Sequence, residues 1–123
     1  INKSKENLNI KVFFSANLIP VKRGILSNIY ISQTIGRTFE EIYECLKSFF
    51  QSESFVTVLP LNSIPTTKDV VGTNKLIIGL KKGYKEDMFC IVSALDNLVK
   101  GAAGQAMQNF NIMNEYKESL GIE

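Results

Sequence analysis

Apolar and polar positions along the chain group into short strands and two helices. Ile10 to Phe14 is a compact apolar run, which predicts a buried strand. Pro20 and Gly24 punctuate a loop around Arg23. From Ile25 to Ser32 the pattern alternates, with Ile25, Ser27, Ile29 and Ile31 on one face and Leu26, Asn28, Tyr30 and Ser32 on the other. That is a strand with one side in the core. Thr38 followed by Glu41 forms a capping box and starts a helix, on which Phe39, Ile42, Tyr43, Leu46, Phe49 and Phe50 share one arc with Cys45 at its edge. Ser54 to Leu59 is β-branched and apolar, a third strand, and the stretch from Pro60 to Pro65 ends it in a loop. Val70 to Asn74 reads as a short extended piece broken by Gly72. Leu76 to Leu80 and Met88 to Leu95 read as a hairpin around the charged segment Lys81 to Asp87.

The terminal segment is less ordinary. Asp96 is a good N-cap, and the residues after it carry helical periodicity, with Val99, Ala102, Ala103, Ala106, Met107, Phe110 and Met113 on one side and Gly101, Gly104, Gln105 and Gln108 on the other. Each glycine inside a helix costs about 1 kcal/mol relative to alanine. Close approach of another backbone or of a ligand on the Gly/Gln face explains that cost, and glycines merely tolerated on an exposed face are the alternative. The order β-β-α-β-β-β-α predicts an α+β domain with a mixed, largely antiparallel sheet covered by helices on one face.

Composition narrows the chemistry. The chain holds 123 residues, enough for one core and too few for two domains. It has no histidine and two cysteines, so a Ser/His/Asp triad, a Cys/His dyad and a zinc site cannot be built from it alone. Cys45 and Cys90 are expected to be reduced and packed, and neither is expected to act as a nucleophile. The net charge of +2 is too nearly balanced to point to nucleic acid or an anionic membrane, and no apolar run approaches the roughly 20 residues of a membrane span.

Three segments then carry a resemblance: Leu18-Ile19-Pro20-Val21-Lys22-Arg23-Gly24-Ile25-Leu26, Val71-Gly72-Thr73-Asn74, and Asp96 through Asn111. Together, in order and spacing, they resemble the carboxy-terminal portion of the N-acetyl-gamma-glutamyl-phosphate reductases, relatives of the aspartate-semialdehyde and glyceraldehyde-3-phosphate dehydrogenases. The resemblance implies an NADP-dependent cytoplasmic enzyme of arginine biosynthesis that reduces N-acetylglutamyl 5-phosphate to the semialdehyde. It implies an amino-terminal Rossmann domain, a nucleophilic Cys and a His base, all upstream of the matched region. On this reading no residue of the chain is catalytic, and the 123 residues alone are inactive. Residues 1–95 would form a substrate-binding and dimerisation domain, incomplete at its amino end, and 96–123 a helix and tail that pack on the absent NADP-binding domain. The expected partners are the acyl phosphate, the Rossmann domain and further copies in a homodimer or homotetramer, with neither nucleic acid nor membrane.

Residue by residue, the resemblance assigns Arg23 to substrate-anion binding, with a loop-fixing salt bridge as the alternative. It assigns Asn97 to the nicotinamide carboxamide, with helix capping as the alternative, and it places Gly101, Gly104 and Gln105 along the cofactor cleft. The chain departs from the family where Pro-His-Leu becomes Ala16-Asn17-Leu18, and where Cys-Asp-Ile-Gly becomes Leu76-Ile77-Ile78-Gly79. Two other readings stay open at this point. One is a non-catalytic assembly or regulatory module of the same fold, and the other is a reductase of aspartyl or aminoadipyl phosphate.

Overall fold

The computed structural model describes residues 12–32, 36–85 and 87–122. They form β1 (Ile25–Ser32), α1 (Phe39–Phe50), β2 (Val56–Val58), β3 (Leu76–Lys82), β4 (Met88–Leu95) and α2 (Gly104–Met113). A 3-10 turn at Thr67–Asp69 precedes β3, and a π-helical turn at Val99–Ala103 leads into α2. The sheet order is β1-β4-β3-β2, with β1 and β3 antiparallel to β4 and β2 parallel to β3. The expected α+β fold with a mixed, largely antiparallel sheet is therefore present.

Side-chain alternation assigns the two faces. On one face, Leu80 and Phe89 pack with Phe39 of α1, supported by Ile31, Ile42, Tyr43, Leu46, Leu61 and Ile91. Thr38 starts α1 as the sequence indicates: its hydroxyl accepts from the Glu41 N–H, and its own N–H donates to the Glu41 carboxylate at 2.7 Å. On the other face, Ile77 and Ala94 pack under Val70 and Leu59. A strap at residues 59–65 crosses this side, held by the Leu59 N–H to the Ile78 carbonyl and the Asn62 N–H to the Leu80 carbonyl. Gly79 lies directly beneath it.

Four expectations need correction. Ile10 and Lys11 lie outside the described residues, and Val12, Phe13 and Phe14 form no strand and are exposed, Phe13 by 93%. A strand needs a neighbour to take its backbone groups, and β1 pairs only with β4 among the described residues. Val70 to Asn74 is a turn, not an extended piece, because the Val70 and Thr73 N–H groups bond back to the Thr67 and Val70 carbonyls. Phe49 projects from the core arc of α1 and rests edge-on against Phe50, with ring centroids 4.9 Å apart. Cys45, expected to be packed, is exposed because its helix position faces away from the sheet.

One consequence of the register positions the site. Ile25 of β1 and Leu76 of β3 both pair with Leu95 of β4, so three strands share a row at one end of the sheet. The residues just beyond that row, Gly24, Asn74 and Asp96, are brought to the same place.

Candidate functional site

Asp96 directly follows β4 and is wholly inaccessible to solvent. Its Oδ1 accepts from the Leu98 and Val99 N–H groups at 2.8 and 3.1 Å, as a helix cap does. Its Oδ2 accepts from the Gly72 N–H at 2.7 Å and pairs with Arg23 Nη2 at 2.9 Å. A single carboxylate thus ties together the Pro20–Gly24 loop, the turn before β3 and the start of the terminal helix. Asn97 adds a second link, its Oδ1 accepting from the Gly24 N–H at 2.8 Å. Gly101 joins from the other side, its N–H donating to the Asp96 carbonyl at 2.9 Å.

The electrostatics follow from the donors. Burial pushes the Asp96 carboxyl up, but hydrogen bonds from Gly72, Leu98, Arg23 and Val99 together outweigh it and hold the pKa at about 2. The group is an anion throughout the physiological range. Arg23 is about a third exposed, at 35%, and only one of its nitrogens takes the ion pair. Its Nε is buried with no hydrogen-bond partner among the described residues.

The terminal helix begins with an irregularity. The Gly101 and Ala103 N–H groups bond five residues back, to the Asp96 and Leu98 carbonyls, so the first turn is π-helical rather than the regular α-helix that the periodicity predicts. Beyond it, the face of α2 buried in this domain is the polar one, made of Gly104, Gln108 and Asn111. Asn74 Nδ2 donates to Gln108 Oε1 at 3.0 Å, and Lys100 Nζ donates to the same oxygen at 2.6 Å. Gln108 Nε2 donates to Glu118 Oε1 at 2.6 Å, and Ser54 Oγ donates to the other Glu118 oxygen at 2.9 Å. Asn111 Nδ2 closes the tail by donating to the Glu118 and Leu120 carbonyls. The apolar side, with Met107, Phe110 and Met113, faces out.

Gly104 permits this packing. A Cβ there would overlap Asn74 Oδ1 and come within 2.8 Å of Val99 Cγ1. The expected close approach is real, but the neighbour at Gly104 is the chain's own Asn74. Alanine would gain up to about 1 kcal/mol in helix propensity, whereas overpacking at such a site costs roughly 1–3 kcal/mol. Gly104→Ala is expected to lower stability on balance, and urea unfolding of the variant beside the parent chain checks the sign.

Of the residues singled out from the sequence, Arg23, Asn97 and Gly101 meet at one end of the sheet. Gln105 stands one turn further along α2, half-buried, and its amide donates to Asn109 Oδ1. The alternative reading of Arg23 as a salt-bridging residue is present in the geometry, and Asn97 secures a loop instead of capping the helix. Sequence reasoning took Asp96 for a cap only and missed its pairing with Arg23 and Gly72. It also missed the Asn74-Gln108-Glu118 chain, for which helical spacing gives no signal beyond Gln108 itself. Cys90 is half-buried, and its burial pushes the thiol up, away from nucleophile chemistry. Among the described residues no cluster of three or more His, Cys, Asp or Glu could hold a metal, and no helix is long and apolar enough to cross a membrane.

Comparison with known proteins adds the context. Residues 1–97 match the family model described as semialdehyde dehydrogenase, dimerisation domain. The chain is 44% identical over 118 residues to the N-acetyl-gamma-glutamyl-phosphate reductase of Ehrlichia canis, covering 96% of this chain and 33% of that protein. It is 46% identical over 109 residues to the reductase of Listeria monocytogenes, covering 89% of this chain and 32% of that one. The chain thus spans about a third of the length of the curated relatives it matches. Among solved structures, aspartate semialdehyde dehydrogenase II from Vibrio cholerae superposes with a TM-score of 0.60 at 17% identity, over 79% of this chain and 29% of that one. The aspartate semialdehyde dehydrogenase of Francisella tularensis gives 0.56 at 24% identity, over 75% and 26%.

Proposed function

Because the chain belongs to the semialdehyde dehydrogenase dimerisation-domain family, we propose that it is the carboxy-terminal α+β portion of an NADPH-dependent reductase. The reaction is conversion of N-acetylglutamyl 5-phosphate to the 5-semialdehyde with release of phosphate, a step of arginine biosynthesis in the cytoplasm. The observation that carries this reading is the identity to the named reductases over nine-tenths of the chain, well above the identity to the aspartate-semialdehyde structures.

Within that reaction, Arg23 binds the anion of the substrate. A guanidinium offers five N–H donors in a fork that matches carboxylate and phosphate, and the ion pair with Asp96 uses only one of its nitrogens. Asn97 is the residue that meets the nicotinamide carboxamide. Its carbonyl is turned to Gly24, which leaves its amide as a donor beside the Arg23 loop. Gly101 is exposed, and Gln105 keeps its carbonyl oxygen after donating to Asn109. These features fit a carboxamide-bearing cofactor, and NADP supplies the hydride when bound. Residues 1–95 serve substrate binding and self-association, and 96–123 pack on the cofactor domain. The exposed Met107, Phe110 and Met113 support that placement, since a monomer rarely leaves such a stripe in water. Homo-oligomerisation fits the family description as well.

In this assignment the nucleophile and the acid/base lie outside the 123 residues. The purified chain, mixed with N-acetylglutamyl phosphate and NADPH, is expected to give no loss of absorbance from the reduced cofactor. Turnover by the chain alone contradicts the assignment.

A further inference from the structure

We infer that Asp96 is a positioning residue for the reaction: its buried carboxylate aims the Arg23 guanidinium at the substrate anion and fixes Asn97 beside it. This rests on the substrate role of Arg23 proposed above, and it assigns to Asp96 a task beyond capping a helix.

The geometry separates aiming from simple loop locking. A salt bridge that only locks a loop is strongest when both carboxylate oxygens meet two guanidinium nitrogens. Here Oδ1 is turned to the Leu98 and Val99 amides, and Oδ2 is shared between Arg23 Nη2 and the Gly72 amide. Three backbone donors therefore spread the carboxylate's charge, and Oδ2 keeps one acceptor position for the cation. The guanidinium keeps unused N–H groups, one of them the buried Nε, and a third of its side chain reaches solvent. It is held at Nη2, buried at Nε and partly exposed as a side chain. The same carboxylate fixes the turn that carries Asn97, because the residue after Asp96 inherits its direction from the Leu98 and Val99 bonds. Asn97 then grips Gly24, the residue after Arg23, and closes a ring from Arg23 to Asp96 to Asn97 and back to Gly24. One buried anion thereby sets the spacing between the cation and the carboxamide.

The test uses the full-length protein that contains this chain, assayed for NADPH oxidation with N-acetylglutamyl phosphate. Asp96→Asn keeps an oxygen for the two helix amides and removes the charge that holds Arg23. It is expected to raise the KM for the acyl phosphate about ten- to a hundredfold, the scale of a hydrogen bond to a charged group, with a smaller change in kcat. Arg23→Lys is expected to raise the same KM, and adding Asp96→Asn to it is expected to cost less than threefold more, since the two changes remove one interaction. If Arg23→Lys raises KM while Asp96→Asn lowers only thermal stability, the positioning role is overturned and the reading of Arg23 stands. If Arg23→Lys leaves KM unchanged, both are overturned. The reverse reaction separates two sources of the anion: a KM rise confined to inorganic phosphate assigns the phosphoryl group, and one confined to the semialdehyde assigns the carboxylate. Should Asp96→Asn fail to fold, Arg23→Ala with sub-denaturing guanidinium decides. Rescue of activity by guanidinium but not by ammonium supports a carboxylate that holds a planar cation in place, and absence of rescue overturns it.

Discussion

Asp96→Ala is expected to destabilise the 123-residue chain by about 3 kcal/mol, near the lower end of the cost of breaking a buried ion pair. The substitution leaves the Gly72, Leu98 and Val99 amides without their acceptor and Arg23 without its anion. Arg23 can turn part of its charge to water because it is partly exposed, which keeps the loss from the top of that range. The pH dependence has a definite sign. A carboxyl held at about 2 in the folded chain, against 3.8 for the free side chain, stabilises the fold above pH 3.8 and ceases to do so as the pH falls towards 2. Stability of the parent chain is therefore expected to fall between about pH 5 and pH 2. In Asp96→Ala that fall is expected to be shallower, with a remainder from Asp69, whose carboxyl is lowered by hydrogen bonds from Thr66. Urea unfolding at pH 6 and pH 3 measures both effects, and parallel losses in the two proteins contradict the role given to Asp96.

Gly79→Ala is expected to cost about 3 kcal/mol, the upper end of what overpacking usually costs. A Cβ at this position would overlap the Ser63 carbonyl oxygen and stand 2.9 Å from Ile64 Cα and 3.0 Å from Pro65 Cδ. Two of these three atoms are backbone, so no rotamer change relieves the contact. The strap must lift from the sheet, which breaks the Asn62 N–H bond to Leu80 and uncovers part of the face beside Val92. At Gly104 the obstacle is a side chain and the helix gains propensity, so the loss there is smaller. Urea midpoints for the two alanine variants should rank Gly79→Ala as the more damaging, and a reversed order contradicts the strap's role.

Local signals were legible where they act within a few residues. The Thr38 capping box, the β1 strand and the hairpin of β3 and β4 each follow from side-chain spacing, and each is present. The expected core side of β1 is not, because Ile25 and Ile29 stay exposed and only Ser27 and Ile31 are half-buried. Val12 to Phe14 had the right composition for a strand but has no partner strand among the described residues, and composition cannot supply one. Periodicity located the terminal helix, but of its Gly and Gln residues only Gly104 and Gln108 are buried, together with Asn111, while Gly101 is exposed in the π-helical turn and Gln105 is half-buried. It gave no means of telling which side this domain buries. Hydrophobic patterning assigns the apolar side inward, whereas Asn74, Lys100 and Glu118 make the polar side the better fit here, and Met107, Phe110 and Met113 are left outside. The site was half legible. Arg23, Asn97 and Gly101 entered through family resemblance, but their meeting depends on the row that joins Ile25, Leu95 and Leu76, a register no local pattern encodes.

The most direct measurement is steady-state NADPH oxidation by the full-length protein containing this chain, with N-acetylglutamyl phosphate and aspartyl phosphate tested in parallel. Turnover of the N-acetylglutamyl substrate, with kcat/KM at least about a hundredfold above that for aspartyl phosphate, is the expected result. Preference for aspartyl phosphate, or turnover of neither substrate by the folded protein, contradicts it.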